Sequence, residues 1–244
     1  MAAVVAYSGL ASGQTRMSEL DDLARRAQDL EIENRRLKAA LSDLERSFDI
    51  TLQSLGDALD LKEGSKGNHS KRVCAFSMGI ARAMGLPQDQ VAVIARGAFL
   101  HDVGKMAIPH QILLKPGHLD ANETAIMREH CFKGYQIIHR IPFLAEPSEI
   151  VYSHHGRYDG SGYPRGLKSK QIPLGARIVA VANTLDSITS DLPYRTARNL
   201  RAAREEIQAW SGRQFDPEIV AVFQNMPDGI FEELRRAINA QGHP

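Results

Sequence analysis

Residues 98–105 read Ala98-Phe99-Leu100-His101-Asp102-Val103-Gly104-Lys105, and the fold turns on this stretch. An apolar run with helical spacing, Val91 to Leu100, leads into an imidazole and a carboxylate on adjacent residues. An ammonium follows at Lys105, one turn later on roughly the same face. Aspartate can bridge two cations, neutral histidine is the commonest nitrogen ligand, and a nearby lysine can pair with a phosphate oxygen. An isolated His-Asp pair also arises as two hydrogen-bonded surface neighbours. What favours a metal centre is the company: His69 upstream, then His130 and the consecutive pair His154-His155 downstream, all falling by pattern on helices or at their ends. Together they offer more donors than a mononuclear site needs.

Outward from that stretch the helical patterns continue. Val73, Phe76, Ile80 and Met84 recur at helical spacing behind a cap at Asn68 or Ser70, and Gly85 and Pro87 end that helix. Asp120 with Glu123 predicts a capping box opening a helix of about 18 residues, with Ile126, His130, Gly134 and Ile137 on one face. Pro147 predicts the start of the next helix and His154-His155 its end. Side chains of adjacent helical residues diverge by about 100°, so this pair suits two neighbouring metals, or one ligand and one phosphate contact. Cys131 is open to reading as a ligand or as a small buried thiol. The next helical position faces elsewhere, which favours the thiol. Gly156 to Pro173 is a glycine-rich loop of functional length. Leu174 to Ile188 returns to an apolar helical pattern containing Asn183 and Asp186, and further helices are predicted near Thr196–Trp210 and Pro217–Phe223. With no period-two alternation, the expected fold class is all-α.

Composition bounds the function. The chain has 244 residues and is 43% hydrophobic, enough for one sizeable core plus an appendage. A formal net charge of +1 gives no field pointing to nucleic acid or an anionic membrane. The two cysteines, Cys74 and Cys131, have neither CxxC spacing nor disulfide density, so a reducing cytoplasm is the expected compartment. No apolar run reaches the roughly 18 residues of a membrane helix. The opening MAAVVAYSGLASG lacks the basic start of a signal peptide, so residues 1–16 are expected to be a disordered tail.

Residues 17–47 keep a seven-residue register. Leu20, Ala27, Asn34, Leu41 and Phe48 fall on a; Leu23, Leu30, Leu37 and Leu44 fall on d. That pattern predicts a coiled coil. Arg26 would face Glu31 of a partner and Glu33 would face Lys38, both attractive in a parallel dimer. Asn34 at a, costly to bury unless it meets its own copy, points to a homodimer in register. The other reading is one amphipathic helix lying on its own domain, although the apolar stripe is narrow for that. The helical pattern continues through Ile50, Leu52, Leu55 and Leu59 into the domain of residues 48–244.

In this order, HDVGK, MREH, HH, DGSGYPRGL, IPLGARIVAVA and TSDLPYR resemble the HD-GYP family of metal-dependent phosphohydrolases, over about Phe48 to Phe223. The resemblance implies a helical bundle around two or three metals, often iron or manganese. It also implies hydrolysis of cyclic di-GMP to pGpG or GMP through in-line attack by a hydroxide bridging two cations. Carried over, His69, His101 and Asp102 resemble ligands of a first metal, with Asp102 bridging to a second held by His130 and His154. His155 resembles the family's further histidine, near substrate or an extra metal. Lys105 would hold the scissile phosphate, Gly162, Tyr163 and Pro164 would form the signature loop, and Arg195 joins the substrate contacts. Four departures stand out. Asn183 replaces the last first-metal aspartate, and Ser65 stands where trinuclear members carry glutamate, so two metals are expected. Leu192 replaces an arginine, and Gly156 a glutamate. The departures at 183 and 192 leave a second expectation: a catalytically weakened module that binds nucleotide or a signalling partner as a dimer.

Overall fold

The computed structural model describes residues 2–62, 68–191 and 196–241. Ser65, Leu192 and Arg195 lie outside the described residues. Helices run α1 Ala2–Lys62, α2 His69–Ala83, α3 Gln88–Phe99, α4 His110–Leu113, α5 Ala121–Arg128, α6 His130–Ile138, α7 Ala145–Ser153, α8 Leu174–Thr189, α9 Leu200–Ala209, α10 Pro217–Asn225 and α11 Asp228–Gln241. Short 3-10 turns occupy Val103–Ala107, Pro142–Leu144 and Ser169–Gln171. Among the described residues there is no strand, only an isolated bridge between Ser211 and Phe215. The fold is all-α. No described helix is long and apolar enough to cross a membrane.

The chain divides into two units at Thr51–Leu52. The first is helix alone. It starts at Ala2; no proline interrupts the segment, and Gly9 and Gly13 cost only about 1 kcal/mol each. Along it the predicted seam lies open, with Leu30 71% and Leu37 61% exposed.

The second unit buries two apolar clusters. The larger centres on α8, whose Ile178, Val179, Val181, Ala182 and Leu185 are all enclosed by α2, α3, α7, α9 and α10. A helix apolar on most faces belongs in the middle of a bundle. Arg177, near its start, forms a buried ion pair with Asp216, whose carboxylate also accepts from Glu218 N and so caps α10. The smaller cluster, Phe99, Leu100, Val103, Ile138, Leu144 and Val151, packs with Leu52 and Leu55 of α1. Gly56 lies so close to Phe99 that a Cβ there would meet the ring at 2.3 Å. Lys62 closes this end of α1 by donating to the carbonyls of Lys105, Met106 and Ile108 at 3.3, 2.7 and 3.4 Å.

The Asp120–Glu123 capping box forms in both directions. The long helix behind it breaks at Glu129 into α5 and α6, so His130 opens a helix rather than sitting mid-turn. α7 starts at Ala145, ahead of Pro147, because a 3-10 turn hands the chain over; proline then fits the first turn, where no amide partner is needed. α11 was missed in the sequence: its apolar residues Ile230, Phe231 and Leu234 sit among charges, and only Phe231 is deeply buried.

Candidate metal centre

Two helix ends and two helix starts meet at Asp102. His101 and Asp102 follow the end of α3, His130 opens α6, His154 and His155 follow the end of α7, and His69 opens α2. Glycine makes the meeting possible. A Cβ on Gly104 would fall 1.9 Å from the carbonyl oxygen of His130, and one on Gly134 would fall 3.1 Å from the amide nitrogen of Gly104. The turn carrying Asp102 therefore presses backbone to backbone on the helix carrying His130.

Four imidazoles aim Nε2 at the Asp102 carboxylate, divided between its oxygens. His101 Nε2 is 3.1 Å and His69 Nε2 3.8 Å from Oδ2; His130 Nε2 is 3.4 Å and His154 Nε2 3.9 Å from Oδ1. The outer nitrogens explain the aim. His101, His130 and His154 each place Nδ1 on the carbonyl oxygen three residues earlier, Ala98, Met127 and Val151, at 2.7, 2.7 and 2.8 Å. A proton on Nδ1 leaves the Nε2 lone pair facing inward, as a metal ligand requires. His69 instead pairs Nδ1 with Asp186 Oδ2 at 2.8 Å, and Arg72 clamps that carboxylate at 2.5 and 3.1 Å.

The electrostatics ask for added positive charge. Burial drives the His154 imidazole well below its ordinary pKa, with His155, His101 and His130 adding repulsion. Burial likewise takes His155 down to about 3 and lowers His130 despite Asp102. Burial opposes charge on Asp102 too, yet His101 and Lys105 hold it well below the usual carboxylate range. His101 moves upward, since Asp102 outweighs its burial. Its Nε2 is fully buried with no hydrogen-bond partner, beside a carboxylate oxygen. Only a cation, proton or metal, satisfies that pair, so the donor set fits divalent metal.

Two donor groups of this kind stand out: His69, His101 and Asp102; and His130, Cys131, His154 and His155, with the ligand atoms in each within 4.8 Å of one another. Two placements differ from the sequence expectation. His154 and His155, just past the end of α7, converge in one group. Cys131 also turns inward, its Sγ 3.5 Å from His130 Nε2, and burial pushes its thiol up to about 12.

Lys105 sits at the mouth, Nζ 2.7 Å from Asp102 Oδ2. Asn183 is half-buried on α8, one turn before Asp186. Asp186 itself lies behind His69, and ion pairs hold its carboxyl down at about 2 against its burial. The loop after α7 braces the histidines. A Cβ on Gly162 would meet His155 O at 2.5 Å, the Tyr163 ring stacks on His155 at 4.8 Å, and Arg128 lies over the Tyr163 ring. Pro164 follows through a cis peptide. Arg165, next along, ties the loop to Glu149 at 2.6 Å and Ser153 at 3.3 Å. Arg72 and Arg165 were not singled out in the sequence. Arg72 had one local signal, its place three residues from His69 on the same helix face.

Known proteins resemble this chain over much of its length. A family model described as HD domain matches residues 53–219. A cyclic di-GMP phosphodiesterase of Thermotoga maritima is 40% identical over 187 residues, 76% of this chain and 51% of that protein. The 3'3'-cGAMP-specific phosphodiesterase 2 of Vibrio cholerae is 36% identical over 180 residues, 73% of this chain and 34% of that protein. The chain thus spans about half the length of one curated relative and about a third of the other. The crystal structure of a cyclic GMP-AMP specific phosphodiesterase of V. cholerae shares the fold, with a TM-score of 0.57 at 21% identity, over 80% of this chain and 54% of that one. His69, the His101-Asp102 pair, His130, His154 and His155 all fall inside the matched span, and on that match the chain belongs to the HD domain family.

Proposed function

We propose that residues 48–244 form a metal-dependent phosphodiesterase of the HD-GYP kind, which opens cyclic di-GMP to pGpG or GMP at a site for two divalent cations, iron or manganese. The supporting observation is the pairwise division of four Nε2 atoms between the two oxygens of Asp102. One carboxylate with two histidines on each oxygen suits two cations sharing a bridge. His69 and His101 would serve one and His130 and His154 the other, with Asn183 and His155 as further donors.

Bound cations would supply an activated water and neutralise charge on the phosphoryl oxygens. The chain's own residues do the rest. Carbonyls of Ala98, Met127 and Val151 keep three imidazoles in one tautomer before substrate arrives. Lys105, partly exposed beside Asp102, is the ammonium nearest an entering phosphate. Tyr163 and Arg128 offer a ring and a guanidinium beside His155, where a purine and its phosphate can be held. The printed functions of the relatives support a cyclic dinucleotide, and both cyclic di-GMP and 3'3'-cGAMP belong in the assay.

The test is metal content and hydrolysis on one sample, prepared anaerobically and loaded with iron or manganese. About two metals per chain with pGpG or GMP appearing is the expected result. Metal-free protein without product would overturn it. Asn183 favours a second reading, a weakened module that binds cyclic dinucleotide or a protein partner, because it removes one negative charge from the donor set. Tight nucleotide binding without turnover would select that reading.

The exposed leucine seam of α1 supports a parallel homodimer. Placing lysine at Leu30 and Leu37 together should convert dimer to monomer in sedimentation.

A further inference from the structure

We infer that Cys131 is a ligand of the metal held by His130 and His154, which makes that half of the site selective for thiophilic divalent ions. The inference rests on the two-metal reading above and specifies one of its two positions.

Three observations carry it. First, the spacing suits one ion. A cation about 2.1 Å from imidazole nitrogen and about 2.3 Å from sulfur holds nitrogen and sulfur about 3.1–3.6 Å apart, and two nitrogens about 3.0–3.4 Å apart, at angles from square to tetrahedral. Cys131 Sγ is 3.5 Å from His130 Nε2, and His130 Nε2 is 3.3 Å from His154 Nε2. Second, the thiol meets a metal-binding nitrogen. With Nδ1 of His130 given to Met127 O, the Nε2 that Cys131 approaches carries the lone pair a metal would use. His154 and His155 complete a group whose ligand atoms lie within 4.8 Å of one another. Third, packing does not account for it. Cys131 is fully buried yet belongs to neither apolar cluster, whereas Cys74 packs against both.

The other donor group contains no sulfur, only His69, His101 and Asp102. Thiolate ligands select zinc and related soft or borderline ions, while a set of imidazole and carboxylate without sulfur also accepts manganese. The two positions should therefore take different metals from a mixture.

Cobalt(II) is the probe, because cobalt bound to sulfur shows a near-ultraviolet charge-transfer band that nitrogen and oxygen ligands do not give. The full chain is loaded anaerobically, cobalt is counted by elemental analysis and the spectrum recorded, alongside C131S and C74S. The expected result is a band in the native chain and in C74S, and its loss in C131S. Competition between zinc and manganese in C131S should shift about tenfold toward manganese at one of two sites. Only two cysteines exist, so a band kept in C74S assigns the sulfur to Cys131 even if C131S folds poorly. Bound cobalt without the band overturns the inference and leaves the two-metal reading standing. Absence of bound cobalt overturns both.

Discussion

The two halves of the site are aimed by different means. Around Oδ1 of Asp102, His130 and His154 are oriented by the backbone carbonyls of Met127 and Val151, each three residues earlier. Around Oδ2, His101 is held in that way too, but His69 depends on a buried carboxylate that needs Arg72 to neutralise it. A carbonyl three residues back comes with any helix end, so the Oδ1 half follows from local structure. The Oδ2 half draws on partners over a hundred positions apart, since His69 and Asp186 are separated by 117 residues. One half is robust and sulfur-containing; the other is charged and open to adjustment from outside the site.

The sharpest way to break this comparison is to remove what the halves share. Asp102→Asn keeps the shape and one oxygen but deletes the bridging charge. Both metals should be lost together and hydrolysis should fall by about a thousandfold or more, read by elemental analysis and product formation. If one metal stays, the halves are independent sites and the bridge carries less than proposed. Gly104→Ala comes next. A methyl there collides with the His130 carbonyl, so α6 must retreat; we expect about 1–3 kcal/mol of lost stability in denaturant melts and selective loss of the metal nearer His130. Equal loss of both metals would mean that the turn and α6 do not act separately.

Asp186→Asn tests the charged half alone. The amide can still accept a hydrogen bond from His69 but no longer supports a cation through it. Affinity for one metal of two should fall about 10–100-fold in chelator competition, with the other unchanged. Arg72 is then a buried cation without its carboxylate, so a modest drop in melting temperature should accompany the change.

The locally aimed histidines were also the legible ones. His101, His130 and the His154-His155 pair follow from helical pattern and end signals, because the bonds that aim them lie within one turn. The Asp120–Glu123 box was legible for the same reason. His69 was readable as a residue, but its anchor was not: Asp186 sits on α8 and nothing in local spacing links it to α2. Cys131 was read as turned away from the face of His130, yet within α6 its Sγ comes 3.5 Å from His130 Nε2. Gly104 looked like one letter of a motif, and only the approach of α6 gives it a steric reason. Helix type and order were written locally; second partners and close approaches were tertiary.

Asn183→Asp should have the smallest effect and sharpens the comparison most. Residue 183 shares a face of α8 with Asp186, one turn away, and Asp186 already reaches the group behind His69. A carboxylate at 183 would add a negative charge on the Oδ2 side, where the imidazoles of His69 and His101 face Asp102. Retention of one metal against chelator should rise about tenfold, with little change at the sulfur-containing half. A matching rise in turnover would mean that the native asparagine weakens catalysis. Tighter binding with unchanged turnover would make asparagine a competent ligand, and no change in either would place residue 183 outside the donor set.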